Sequence, residues 1–242
     1  SLKKVFLYNP ASEQAQFLAQ LPPDVSKYIT FTTLPDPNEA LTFFKNLGEN
    51  VKSLIMPMQD WTSQSAEYIS RYASQVEELR LNNKKNWDFA ESLYKIINTA
   101  NPNILRHLEI TCRTDIDDSI ENEIILSLKQ FEKLRTLIFI KKTPRSCELV
   151  MDQVFNFSQA LKNMRELEEL RFWIYFTDRY GHSQIQSVFK AIKNMYRLRI
   201  LRLYFGDWSL MKYHRDDLKL LSKLPYLREL SLNKYDDYMN YL

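Results

Sequence analysis

The chain has 242 residues, 45% hydrophobic and 26% charged, and its 33 Lys and Arg against 30 Asp and Glu leave a net charge of +3. This composition is typical of a folded chain of one or two domains, and so small a basic excess does not by itself indicate a nucleic-acid or membrane partner. Glycine occurs only three times, at Gly48, Gly181 and Gly206. Because a dinucleotide fingerprint, a phosphate loop and a nucleophile elbow all need clustered glycines, the sequence excludes these enzyme classes.

Cysteine content and hydropathy favour an intracellular protein. Cys112 and Cys147 are too few for a disulfide framework. No apolar run approaches the roughly 18 residues that indicate a membrane span. We therefore expect a cytoplasmic or otherwise intracellular setting and no membrane partner.

A short apolar pattern repeats along the whole chain. The segment 160–172 reads ALKNMRELEELRF and recurs 31 residues later as AIKNMYRLRILRL. The best-conserved feature of this repeat within the chain is an apolar residue at the first, fourth and sixth positions of each unit. We call these three residues the anchors. This alternation predicts a short β-strand in each unit. Nine such units start at Leu2, Val25, Val51, Val76, Leu105, Leu134, Leu167, Leu198 and Leu227.

The second unit matches this pattern least well. In the register that starts at Val25, its fourth and sixth positions are Tyr28 and Thr30, whereas a register shifted by one residue uses Ile29 and Phe31. We take the Val25 register, in which Thr30 is the one polar anchor of the chain. Because burial of the anchors is the main stabilising contribution, this register predicts that unit two is the weakest interior unit.

The segments between the predicted strands have apolar residues at helical spacing. Three segments show this most clearly, with apolar faces formed by Phe89, Leu93, Ile96 and Ile97, by Ile120, Ile124, Ile125 and Leu128, and by Ile185, Val188, Phe189 and Ile192. Each unit is therefore predicted to run strand, loop, helix, loop. Since one strand and one helix cannot cover their own apolar face, the units are expected to stack on one another.

The pattern Leu-x-x-Leu-x-Leu, repeated with helical segments at spacings of mostly 25 to 33 residues, resembles that of leucine-rich repeat proteins. The long helix-bearing units resemble the ribonuclease-inhibitor-like and F-box-associated type of repeat. The resemblance covers residues 1–242 and implies a single α/β domain of about nine irregular repeats. The implied fold is a leucine-rich-repeat solenoid, or horseshoe, with a parallel concave β-sheet and outer helices.

The chain departs from the family pattern at the turns and at the ends. Three residues after the last anchor, where the family usually has Asn or Cys, the chain has Lys84, Arg113, Tyr175, Gly206 and Tyr235. We therefore expect irregular turns. Neither end shows the polar capping unit that solenoids normally carry, which predicts a fragment of a longer protein or a subunit whose ends dock onto another component.

The side chains that point away from the core are the candidates for binding. If the fourth and sixth positions face the core, the third, fifth and seventh face the concave surface. There the middle and C-terminal units combine Arg with aromatic and aliphatic side chains, as protein-binding hot spots do. The alternative is that loops cover these positions and bury them as core. The predicted partner-binding residues are Arg80, Ile138, Ile140, Arg171, Trp173, Arg202 and Tyr204.

The second position of the units forms a basic stripe. Its members are Lys3, Lys52, Arg106, Arg135, Arg199 and Arg228, and it is interrupted by Ser26, Glu77 and Glu168. A stripe of this kind can follow a phosphate backbone. However, Glu78, Glu169 and Glu229 at the third position are close enough in sequence to pair with it. We therefore interpret the stripe as a solvated, ion-paired rim and expect no nucleic-acid partner.

Few residues are suited to catalysis. His107, His182 and His214 lie in different units, and the nearest approach to a metal or acid–base site is His107 with Glu109 and Cys112. One His, one Glu and one Cys make an incomplete ligand set. We therefore predict no enzymatic activity and no catalytic, cofactor-binding or metal-binding residue.

The sequence thus favours a non-enzymatic scaffold or adaptor that binds protein partners through the concave surface. Three alternatives remain open. The chain could be the substrate-recognition part of a ubiquitin ligase, with an F-box outside this segment, or a structural subunit of a large assembly that uses its ends and outer helices. The third alternative is a nucleic-acid-binding subunit, which the small net charge disfavours. The fold alone does not identify the partner.

Overall fold

A computed structural model describes residues 2–32, 37–47, 50–58, 63–83, 89–112, 118–141, 151–174, 181–205 and 215–234. These segments contain the strands β1 (Lys4–Tyr8), β2 (Ser26–Thr30), β3 (Val51–Met58), β4 (Glu78–Asn83), β5 (His107–Cys112), β6 (Thr136–Lys141), β7 (Glu169–Ile174), β8 (Ile200–Phe205) and β9 (Glu229–Lys234). They also contain the helices α1 (Ser12–Ala19), α2 (Pro37–Asn46), α3 (Ser63–Ala73), α4 (Phe89–Thr99), α5 (Asp118–Ser127), α6 (Met151–Asn163), α7 (Gly181–Ile192) and α8 (Arg215–Leu221). A 3-10 turn, Leu128–Gln130, follows α5.

The nine strands form one parallel sheet whose order, β1 to β9, follows the chain. Parallel neighbours need a crossover connection, and in the described segments a helix lies between each strand and the next. Each helix also contacts the next helix along the chain. The α/β class, the parallel sheet and the flanking helices predicted from the repeat are therefore confirmed.

The anchors build the core of this arrangement. All eighteen anchors of units three to eight are at most 3% exposed. They join the buried faces of the helices in one apolar cluster that runs from Ala15 to Leu224. Between α6 and β7 the ring of Phe157 stacks on that of Phe172, with 3.6 Å between ring centroids. At the ends, where a strand has a neighbour on one side, Leu2 is 55% and Leu230 46% exposed.

The predicted register of unit two is wrong at its fourth and sixth positions. Ile29 and Phe31 are 0% and 2% exposed, whereas Tyr28 and Thr30 are half-buried. Ile29 lies in register with Leu7 on one side and with Leu54 on the other. The weakness expected of this unit assumed that Thr30 is a core residue, and it therefore loses its basis.

An irregularity in the ladder accompanies this shift. Lys27 pairs with Val51, but the next residue, Tyr28, pairs with Ser53, so β3 contains one extra residue at this point. An extra residue of this kind shifts the register of the two strands and disrupts the ladder locally.

A buried tyrosine connects the helices α2 and α3. The hydroxyl of Tyr72 donates a hydrogen bond to the backbone carbonyl of Phe44. Phe44 lies in the last turn of α2, where carbonyl groups have no partner within the helix. Burial raises the pKa of Tyr72, against a smaller opposite effect of Arg71. The phenol thus remains a neutral donor that satisfies the end of α2.

Candidate interaction surface

Four of the seven predicted binding residues lie in one row across the sheet. We call the third, fifth and seventh strand positions the sheet face. On it, Arg80 is in register with Glu109, which is followed across β6, β7 and β8 by Ile138, Arg171 and Arg202. Neighbouring parallel strands are about 4.8 Å apart. Because the anchors fix which residues of each strand face the core, the side chains of this row lie next to one another on the opposite face.

The expected exposure of three of the seven residues is wrong. Ile138, Ile140 and Tyr204 are 6%, 5% and 1% exposed. Ile138 lies between Glu109 and Arg171 in the row, and long charged side chains cover apolar neighbours with their aliphatic parts. These three residues are packed as part of the protein interior, which is the alternative that the sequence left open.

The other three predicted residues, Ile140, Trp173 and Tyr204, lie at the seventh positions of units six, seven and eight. Trp173 is in register with Tyr204, on the neighbouring strand β8, but its side chain lies outside the described part of the structure. Its exposure therefore stays a prediction. Ile140 is in register with Thr111, which is itself buried at 6% exposure. In the described structure the accessible predicted residues are thus the three arginines.

A cluster of paired charges surrounds Arg80. Its Nη2 lies 2.6 Å from Oε1 of Glu78, and its Nη1 lies 3.6 Å from Oε2 of Glu109. The hydroxyl of Ser53 donates to the other carboxylate oxygen of Glu78 at 2.6 Å. Burial alone would raise the pKa of Glu78, but the hydrogen bonds from Ser53 and Arg80 outweigh it and hold this pKa below its ordinary value. Glu78 is therefore a fixed anion that orients Arg80.

A second charged network joins β7, β8 and β9. Arg171 Nε donates to Glu169 at 2.5 Å, and Arg202 Nε donates to Glu229 at the same distance. The hydrogen bond between Arg202 and Glu229 raises the pKa of Arg202 and lowers that of Glu229. Through space, Glu169 also raises the pKa of Arg202, and Arg171 also lowers the pKa of Glu229. The four side chains thus act as one network with each guanidinium fixed by a carboxylate.

A small pocket opens beside Arg80. It has a volume of 280 Å³ and combines apolar residues with polar ones. This volume lies at or below the lower end of ligand pockets, about 300–1,000 Å³, and suits one or two side chains of a partner. Its lining residues are Phe31, Thr32, Ile55, Met56, Arg80, Asn82 and Glu109.

His107 does not belong to a metal site among the described residues. Its Nε2 lies 4.0 Å from Oε2 of Glu109 and has no hydrogen-bond partner in the described structure. The described residues include no group of three or more His, Cys, Asp or Glu side chains that could hold a metal ion. The side chain of Cys112 lies outside them.

An aromatic patch at the first strands was not predicted. Phe6 and Tyr8 of β1 are 72% and 73% exposed. The ring of Phe6 stacks on that of Tyr28 with 4.7 Å between centroids, and Lys4 Nζ lies 5.7 Å from the Tyr28 centroid. Phe6 and Tyr8 occupy the fifth and seventh positions of unit one. The repeat pattern therefore places both residues on the sheet face, and this is the sequence signal that identifies them.

The basic stripe is paired differently from the prediction. Lys52 lies 3.1 Å from Glu77, and Arg199 lies 3.5 Å from Glu168, so both cations pair with carboxylates of the stripe itself. The carboxylates at the third position, such as Glu78, bind arginines of the sheet face instead. The predicted partners are therefore wrong, because alternate residues of a strand point to opposite sides.

Comparison with known proteins leaves the family open. No protein-family model matches the chain, and no curated protein matches it either. In the described segments, no helix has the length and apolar character that crossing a membrane requires.

Proposed function

We propose that this chain is a leucine-rich-repeat solenoid that acts as a non-enzymatic scaffold or adaptor and binds a protein partner through the sheet face. The observation that carries the proposal is the row of accessible arginines. The side chains of Arg80, Arg171 and Arg202 are 40%, 30% and 32% exposed. Each is held by a carboxylate on the same sheet. Arginine is one of the residues that dominate protein-binding hot spots.

Rigidity supports the same function. The strands that carry the three arginines belong to one hydrogen-bonded sheet, and the ion pairs fix the side chains before any partner arrives. Little conformational entropy is then lost on binding, which is the main advantage of a preorganised surface. The pocket beside Arg80 adds a recess with apolar residues and a polar border. A partner that offers an apolar side chain flanked by polar groups fits this surface best.

Affinity purification of the full-length protein from its source cells, followed by quantitative mass spectrometry, tests the proposal. The test variant is Arg171→Gln with Arg202→Gln, which keeps the shape of the surface and removes two cations. The control is Lys45→Gln with Lys95→Gln, which changes the net charge equally at two exposed helix positions. Removing a hot-spot arginine costs about 2 kcal/mol, or about 30-fold in affinity.

The expected result is a small set of partners that survives high salt and the control substitutions but disappears with the double arginine variant. Direct titration of the purified partner then gives the loss in affinity. Unchanged recovery of every partner with the arginine variant would refute binding through the sheet face. Recovery within a large complex under those conditions would instead assign the function to the helices and the ends, as in a structural subunit.

A further inference from the structure

At the edge of the sheet where the chain enters the strands, the second positions of units five to nine form a ladder of four arginines that is interrupted by Glu168. In each step of the ladder, the backbone N–H of one residue donates a hydrogen bond of 2.8 Å to the backbone carbonyl of its counterpart in the preceding unit. The donor and acceptor pairs are Arg135 and Arg106, Glu168 and Arg135, Arg199 and Glu168, and Arg228 and Arg199. Neighbouring rungs are therefore about 4.8 Å apart. Arg135, Arg199 and Arg228 are exposed.

Three of the four arginines of this ladder lie in a basic part of the described surface. We call the basic edge the segments 131–135, 164–168, 193–199 and 223–228, which connect helices to strands in units six to nine. They contain eight Lys or Arg and three Glu, a net charge of +5 that exceeds the +3 of the whole chain. The remainder of the chain has 25 Lys or Arg against 27 Asp or Glu, so the basic excess of the chain comes from this edge.

Among the described residues, most cations of this edge have no ion-pair partner. Glu168 meets Arg199 at 3.5 Å, and within the described residues Arg135 and Arg228 make no ion pair. Lysines close to a helix C-terminus are explained by the helix dipole, whose effect falls off within about one turn, and Lys193 and Lys223, one and two residues after α7 and α8, fit that explanation. The arginines of the ladder lie beyond the last turn, at the entry to the strands, so the dipole does not explain them.

Two exposed tyrosines accompany the ladder. Tyr196 and Tyr226 are 65% and 62% exposed, and they lie three and two residues before Arg199 and Arg228. Proteins that hold single-stranded nucleic acid combine cations that follow the backbone with aromatic rings on which bases stack. Tyr and Arg also suit protein interfaces, but so many cations beside so few carboxylates favour a polyanion.

We propose that the basic edge binds single-stranded nucleic acid, with phosphates on the arginines of the ladder and bases stacked on Tyr196 and Tyr226. The sequence argument against such a partner rested on the small net charge and on glutamates at the third position that could pair with the stripe. In units seven and nine these glutamates pair with the sheet face instead. The basic edge and the sheet face are different surfaces, so this activity is independent of the scaffold function.

Fluorescence anisotropy of the full chain with a labelled single strand of about 16 nucleotides and mixed sequence, as RNA and as DNA, tests the proposal. Arg199→Gln with Arg228→Gln should weaken binding at least tenfold and reduce the slope of log affinity against log salt by about 1.4, or about 0.7 for each lost phosphate contact. The charge-matched control, Lys45→Gln with Lys95→Gln, should bind as wild type does.

Substitution of a tyrosine provides a second test, because it changes base stacking without changing the charge of the protein. Tyr196→Ala should weaken binding about tenfold through the lost base stacking, whereas Tyr196→Phe keeps the ring and should bind as wild type does. If the variant with both Arg199→Gln and Arg228→Gln does not fold, the single substitution Arg228→Gln replaces it. The side chain of Arg228 is exposed and has no described partner.

Three outcomes would overturn the proposal. The first is that the wild-type chain fails to bind the oligonucleotide at low salt. The second is equal weakening by the control and by the ladder variant, which would reduce the effect to net charge. The third is that a polyglutamate chain of the same length competes equally well and Tyr196→Ala has no effect, which would assign the basic edge to acidic proteins.

Discussion

Truncation of Ile29 tests the register that the structure gives to unit two. The side chain of Ile29 is 0% exposed and lies between Leu7 and Leu54 on the neighbouring strands. Replacing a buried Ile by Ala typically costs about 2–5 kcal/mol, depending on how far the site can collapse. Since Leu7 is only partly buried, the site can relax on that side. We therefore expect Ile29→Ala to lower the free energy of unfolding by about 3 kcal/mol.

The matched control is the adjacent residue. Thr30 is half-buried on the other face of β2, so Thr30→Ala should cost less than about 1 kcal/mol, mainly through strand propensity. In the register that starts at Val25, Ile29 would face away from the core, and its truncation would cost little. Ile29→Ala is therefore the more destabilising substitution in the observed register, whereas Thr30→Ala would be the more destabilising one in the register that starts at Val25.

Urea unfolding followed by far-UV circular dichroism measures these differences. Because a stack of units can lose its end units separately, hydrogen exchange of β1 and β2 should be measured as well. Ile29→Ala should speed exchange in both strands, whereas Thr30→Ala should leave it near wild type. An effect of Ile29→Ala no larger than that of Thr30→Ala would refute the register and the burial argument together.

Three further substitutions test other contacts. Tyr72→Phe should cost about 1–2 kcal/mol in urea unfolding, because the carbonyl of Phe44 loses its buried donor. Phe157→Ala should cost about 3–5 kcal/mol in the same measurement, and a cost below that of Tyr72→Phe would contradict its place in the core. Because the pKa of Glu78 is lowered in the folded protein, ionisation of this carboxyl stabilises the folded state. This stabilisation is present above the ordinary pKa of 4.5 and is lost as the pH falls below it. Glu78→Gln should therefore flatten the fall in urea midpoint between neutral and acid pH, whereas the exposed control Glu123→Gln should not.

The fold could be predicted because apolar periodicity carries it. A strand with anchors at its fourth and sixth positions buries every second residue, and the order of the strands follows from stacking of neighbouring units. The register of unit two was predicted wrongly because Tyr28 and Ile29 are both apolar enough to be the anchor at the fourth position. A slip of one residue exchanges the two faces of a strand. Long-range pairing with Leu7 and Leu54 decides between them, and a single segment does not encode that pairing.

The sheet face was predicted less completely than the core. Parity places Arg80, Arg171 and Arg202 on one face, because it fixes the direction of each side chain relative to the anchors. Parity does not tell what covers that face, and this is why Ile138 and Tyr204 were expected to be exposed. Burial on the second face of a sheet depends on neighbouring strands and on connections, whose contacts are not periodic in the sequence.

The two proposed activities can be separated because each strand directs different positions to different surfaces. Positions one, four and six fill the core, so substitutions there weaken stacking between neighbouring units and affect both activities. Arg202 lies at the fifth position and binds Glu229 on the sheet face, whereas Arg199 lies at the second position on the basic edge. Arg199 lies just before β8 and Arg202 lies within it, but the two arginines belong to different charge networks. A variant at Arg202 that weakens the protein partner should therefore keep nucleic-acid binding, and a variant at Arg199 should do the reverse. If both substitutions impaired both activities to the same extent, the effects would arise from folding of unit eight, and neither surface would be a separate binding site.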